Sequence, residues 1–190
     1  MRKFILALVM ISGAAYAGND MARLDTFTRN LSALSASFEQ IKILPESAKK
    51  FVARGRVKFQ KDIGFIWMQE SPEKQVFVST KDKYCVNGKS QDLNALPYFY
   101  YVRSMIDNAL NGNITDLESV FKIDYAEYGK TLWQLTAKPR IDAVADILQD
   151  IVMYGALTEL TKVIITYNDG TIIILQFKSG GVEIKDEIAC

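Results

Sequence analysis

The sequence predicts an α+β fold that is mainly β: an antiparallel sheet with helices laid against it. Three observations lead there. From residue 35 the apolar residues recur with a period of two, in segments about ten residues apart joined by turn residues. Two other stretches, 20–34 and 98–110, carry apolar residues at spacings of three and four, the signature of amphipathic helices. The last hairpin is apolar on both faces, so it needs a cover on each side, and a curved sheet supplies one in its own interior.

The chain opens with Met1, Arg2 and Lys3, the apolar run "FILALVMI" and then "SGAAYA". A short basic region, about eight apolar residues and small residues before a cut describe a secretory signal peptide, with cleavage expected after Ala17. The run is too short for a membrane-spanning helix, which needs about 20 apolar residues. No cysteine stands just after the cut, so no lipid anchor is expected. Residues 18–190 are then read as a single domain. Removal of Arg2 and Lys3 leaves 21 basic against 22 acidic side chains, a net charge of −1, with no basic field to attract nucleic acid.

The absence of histidine removes His-based triads, His general bases and most catalytic zinc sites. No phosphate loop, nucleophile elbow or paired-carboxylate motif is present. No catalytic residue, metal or cofactor is therefore expected. The two cysteines, Cys85 and Cys190, can bond in an oxidising compartment, as one chain or between chains, or can stay free.

Met21, Leu24, Phe27, Leu31 and Leu34 form the stripe of the first helix, which Asn19 or Asp20 can cap. Strands follow at "SASFEQIKIL", "FVARGRVKFQ", "GFIWMQ", "KQVFVST" and "KYCVNG", separated by "PESAKK", "KDIG", "ESPE" and "TKD". Tyr98, Val102, Met105 and Ile106 mark a second helix, read as a packed connector or as a lid over the sheet. "TDLE", Thr115 to Glu118, has the capping-box pattern of a short helix. Two hairpins come next, one about Tyr128–Gly129–Lys130 and one about Asn168–Asp169–Gly170. Between them, residues 141–153 suit a helix or a strand, and periodicity leaves both open.

In the second strand Arg54, Arg56, Lys58 and Gln60 alternate with Val57, Phe59 and Lys61. The even side is solvent-facing, so the odd side faces inward and Lys61 stands at its rim. Phe65 and Trp67 share one face of the third strand, Ile66 and Met68 the other.

The ordered set of motifs resembles the LolA family of periplasmic lipoprotein carriers. It consists of Phe38–x–Gln40, Gly55 before the alternating strand, Phe65–x–Trp67 with Pro72 five residues later, Leu135–Thr–x–Lys–Pro139 and the late Asp–Gly hairpin. The resemblance implies an incomplete, strongly curved antiparallel β-barrel with helices covering its mouth. It implies a strand from about residue 147 preceded by a helical turn. It also implies a periplasmic, monomeric, non-enzymatic carrier whose inner face binds acyl chains of lipoproteins or a related lipid. Its partners would be an inner-membrane exporter and an outer-membrane acceptor. The expected cavity residues are Phe38, Val57, Phe59, Phe65, Trp67, Val76 and Val78, with Tyr98, Val102, Met105 and Ile106 in the lid. Family carriers have Arg–Pro where this chain has Lys61–Asp62, and lysine lacks the planar fork of donors with which arginine grips a lid. The alternatives are an envelope-complex subunit with the same fold and a packed core, and an accessory carrier for a glycolipid or aryl-polyene export system.

Overall fold

The computed structural model describes residues 33–60, 64–80, 83–90, 114–157 and 159–180. The eleven strands are β1 (Ala33–Ile43), β2 (Lys50–Gln60), β3 (Gly64–Ser71), β4 (Gln75–Thr80), β5 (Tyr84–Val86), β6 (Lys89–Ser90), β7 (Phe121–Tyr128), β8 (Leu132–Pro139), β9 (Leu148–Ala156), β10 (Glu159–Tyr167) and β11 (Ile172–Ser179). Two short helices, α1 (Ile114–Val120) and α2 (Asp142–Ala145), precede β7 and β9. All eleven strands form one open, curved antiparallel sheet in the order β6–β5–β4–β3–β2–β1–β11–β10–β9–β8–β7.

Every neighbour but one in that order is also a neighbour in sequence. The exception is β1 against β11, paired from Ala36–Ser179 to Ile43–Ile172, which joins two meanders into a single sheet. The late hairpin β10–β11 is therefore central, flanked by β9 and β1, and its backbone is paired on both sides. The edges lie at β6 and β7.

The expected strands are present, with a shift at the start and one addition: the "KYCVNG" strand stops at Val86 as β5, and Asn87–Gly88 turn the chain into β6, which the period did not indicate. Ala33 and Leu34, which the helical stripe had claimed, continue β1, because their pairing with Gln60 and Phe59 extends the β1–β2 ladder without a break. The remainder of that helix, the segment 1–17, the lid residues Tyr98, Val102, Met105 and Ile106, Lys61 and Cys190 all lie outside the described residues. Segment 141–153 divides as the resemblance implied, into the single turn of α2 and then β9. Asn168 fastens that turn to the late hairpin: its backbone N–H donates to the Ile147 carbonyl at 3.0 Å and its side-chain amide to the Ala145 carbonyl.

One side of the sheet is the core side. Leu117 of α1 and Val144 of α2 pack there with Phe121, Trp133, Leu135, Ile151, Met153, Val163, Ile165 and Leu175. These strand residues alternate with outward-facing ones, as the pleat requires. The convex side of β10 and β11 is also apolar. Ile164, Ile172 and Ile174 are half-buried there, and Ile41, Ile174, Ile164 and Val152 stand opposite one another on four successive strands.

Candidate functional site

The candidate site is the concave wall made by the first five strands. Register fixes which side chains belong to it, because residues paired across strands share a face. Val57 of β2 stands opposite Ala36 of β1 and Trp67 of β3, and Trp67 opposite Phe77 of β4. One step along, Phe59 stands opposite Phe65, and Phe65 opposite Ser79, which pairs with Tyr84 of β5. Val57 and Phe59 are buried, whereas Arg54 and Gln60 on the other face are exposed. The parity read from the alternation is the parity of the fold.

Phe38, Val57, Phe59, Phe65 and Trp67 are thus brought together on one face. Val76 and Val78 are not. Their partners are Met68 and Ile66, and Val78 also faces Cys85, so both valines belong to a separate cluster on the opposite side of the sheet. This corrects the expected cavity set, and the cause is the two-residue period: in "QVFVST" either parity presents apolar residues, and the pairing with Trp67 selects Phe77. The concave members missed in the sequence are Phe77, Ser79 and Tyr84. Counting parity outward from Trp67 across the short β3–β4 turn would have found them.

Gly55 gives this wall its shape. It lies opposite Phe38, and a Cβ placed on it would sit 1.9 Å from the Met68 carbonyl oxygen. Only glycine lets β2 and β3 approach so closely at the irregular step where Arg54 pairs with Ser71 and Gly55 with Gln69. On the concave side, the rings of Phe38 and Trp67 stack with centroids 3.7 Å apart and planes inclined by 26°. Trp67 also packs against the large core of the C-terminal strands, and Phe177 against both that core and the Phe38 group. The apolar wall consequently runs without interruption from β4 to β7. Along it, Phe65, Trp67, Phe77, Phe177, Ile123 and Tyr125 are only partly buried, so the wall keeps accessible apolar surface.

Around β1, β2 and the end of β3 the convex side is polar. A groove of about 400 Å³ there is lined by Ser37, Glu39, Arg54, Arg56, Glu70, Gln176 and Lys178 with Phe38 and Gly55. Arg54 Nε donates to Glu39 and Arg56 Nε to Glu70, each at 2.7 Å. Exposed pairs of this kind contribute about 0.2–1 kcal/mol each. Among the described residues, no three His, Cys, Asp or Glu side chains converge to hold a metal ion. Cys85 is fully buried and disulfide-bonded.

The fold and this wall define a class: an open antiparallel half-barrel with a largely apolar concave face. The family model for "Outer membrane lipoprotein carrier protein LolA" matches residues 29–184, and the chain belongs to the LolA family. Among solved structures it is similar to MucB, at 14% identity and a TM-score of 0.52, covering 94% of this chain and 64% of the MucB chain. A LolA superfamily protein from Nitrosomonas europaea matches at 9% identity and a TM-score of 0.47, covering 90% of this chain and 97% of that one. The MucA/MucB complex of Pseudomonas aeruginosa matches at 13% identity and a TM-score of 0.46, covering 87% of this chain and 58% of that one. The chain thus spans less than two thirds of the MucB chains it matches. No curated protein matches it.

Proposed function

We propose that this protein is a periplasmic, non-enzymatic carrier that holds acyl chains of lipoproteins, or of a related lipid, against its concave wall and moves them from inner to outer membrane. Membership of the LolA family and the signal-peptide pattern of residues 1–17 support the setting. The observation that carries the proposal is the half-buried state of Phe65, Trp67, Phe77 and Phe177 on a face that is mostly apolar. Removing one CH₂ group from water is worth about 0.8 kcal/mol, so part of an acyl chain laid along this wall supplies affinity without any polar recognition. Such binding is indifferent to headgroup, and release then requires a partner offering a better site. An inner-membrane exporter and an outer-membrane acceptor are the partners this reading calls for, with a monomer as the travelling form.

The test is binding of an apolar fluorescent probe to the purified protein. Trp67→Glu or Phe65→Glu is expected to weaken binding about tenfold, the equivalent of roughly 1.4 kcal/mol. Gln176→Glu, on the exposed convex side, should leave it unchanged. Lipid mass spectrometry of the native protein is expected to find co-purifying acyl chains. No probe binding together with no lipid would sink the carrier reading.

A second reading is favoured by the Phe38–Trp67 stack, which fills the wall above Gly55 with protein rather than ligand. In it the same fold serves as a packed interaction subunit of an envelope complex. Probe binding that is absent in the wild type and unaltered by Trp67→Glu would select it.

A further inference from the structure

At the far end of the sheet, two hairpin tips present large apolar side chains to water. Tyr128 and Leu132 flank the β7–β8 turn and stand opposite each other, 55% and 53% exposed. Leu157, just after β9, is 66% exposed. The tips are braced together. Leu132 pairs with Ala156, the Leu157 N–H donates to the Thr131 carbonyl at 2.7 Å, and Trp133 Nε1–H donates to the Leu157 carbonyl at 3.0 Å. Trp133 reaches that position because residue 155 is glycine; a Cβ there would sit 2.0 Å from its ring.

Leu157 carries two costs at once. Its φ of 53° lies in the left-handed region, which glycine or asparagine adopts with far less strain than a leucine. Its side chain is also the most exposed of the large apolar residues described. A turn built only to connect β9 and β10 would be better served by glycine. Strained, exposed and rigidly held residues are the kind retained for contact with something else.

We propose that Tyr128, Leu132 and Leu157 form an apolar prong that inserts into the interfacial zone of a lipid bilayer. Three arguments select a bilayer as the occupant. The residues project from the exposed tips of two hairpins rather than lining a recess of the sheet. Three side chains fall well short of the roughly 800 Å² per partner of a standard protein interface, a second copy of this chain included. Tyrosine and lysine flank the prong: Lys130 lies in the β7–β8 turn, and Tyr154, on the same face two residues before Ala156, carries Lys162 Nζ 4.4 Å from its ring centre. Amphipathic side chains of this type settle where apolar tails meet polar headgroups. Lys130 and Lys162 are matched in number by Glu127 and Glu159, so attachment rests on apolar insertion rather than on attraction to anionic lipid. The prong is independent of the concave wall, and a protein with a filled interior would carry it equally.

The test is co-sedimentation of the full mature chain with phosphatidylcholine vesicles, in low and high salt. The wild type is expected to bind weakly and reversibly, with little change on adding salt. Leu132→Thr combined with Leu157→Gly should lower the partition coefficient at least tenfold; probe binding at the concave wall should be unaffected. Glycine suits the backbone at 157, and Leu157→Asn provides a second variant that tolerates the same φ. Three outcomes overturn the proposal: no vesicle binding by the wild type, equal binding by wild type and variants, or binding confined to anionic vesicles and lost in salt. A wild-type dimer that these substitutions convert to monomer would also overturn it, assigning the patch to self-association.

Discussion

Gly55 and Ser79 show how much single positions decide here. Gly55 has no room for a methyl group, since the Met68 carbonyl occupies the place of its Cβ. Gly55→Ala must therefore push β2 and β3 apart, and is expected to cost about 3 kcal/mol, read as a lower urea midpoint. Ser79 is 1% exposed, and its hydroxyl has no hydrogen-bond partner among the described residues. A buried hydroxyl without a partner costs about 1–3 kcal/mol relative to its hydrated state, so Ser79→Ala should stabilise the protein by about 1 kcal/mol. An unchanged or lower midpoint would show that the hydroxyl makes a bond in solution. Gly55 could be singled out from the sequence because a lone glycine interrupts an alternating strand. Ser79 could not, because a serine near a strand end is ordinary and its burial depends on neighbours from other strands.

Among the elements, β4 is the most instructive. "QVFVST" is apolar at three successive positions, so its own period cannot say which side faces inward. Pairing with β3 decides it: Trp67 faces Phe77, and Met68 and Ile66 face Val76 and Val78. Phe77→Glu should accordingly weaken probe binding about as much as Trp67→Glu, roughly tenfold, whereas Val76→Thr should leave it within experimental error. The reverse result would place the binding surface on the other side of the sheet. The strand β2 needed no such help, because Arg54, Arg56, Lys58 and Gln60 mark its wet side. The segment 141–153 lies between these cases. Both periods fit its apolar residues, and β9 forms because β8 and β10 offer ladders on either side.

At the scale of the whole molecule, the β1–β11 ladder is the long-range contact that makes one sheet from two meanders. Cys85 is buried on the convex side and disulfide-bonded, and Cys190 is the chain's only other cysteine. Peptide mapping without reductant is expected to find the two joined. Closing a loop of about 100 residues contributes up to about 4.7 kcal/mol in the chain-entropy model, so Cys85→Ser should lower stability by several kcal/mol. Mapping that finds Cys85 joined to a second chain would instead make the link intermolecular.

The amino-acid pattern alone determined most of the strands, their turns and the wet side of β2, though not β9 or the start of β1, because a period of two, turn residues and charge are local properties. Motif order along the chain was enough to point to the LolA family, since it needs no knowledge of contacts. Which residues meet was settled only by folding. Pairing chose Phe77 over Val76 and Val78, stacked Phe38 on Trp67 across Gly55, and set Leu157 beside Leu132 on a braced tip. Each of these depends on strand register, and a shift of one residue would turn every side chain to the opposite face.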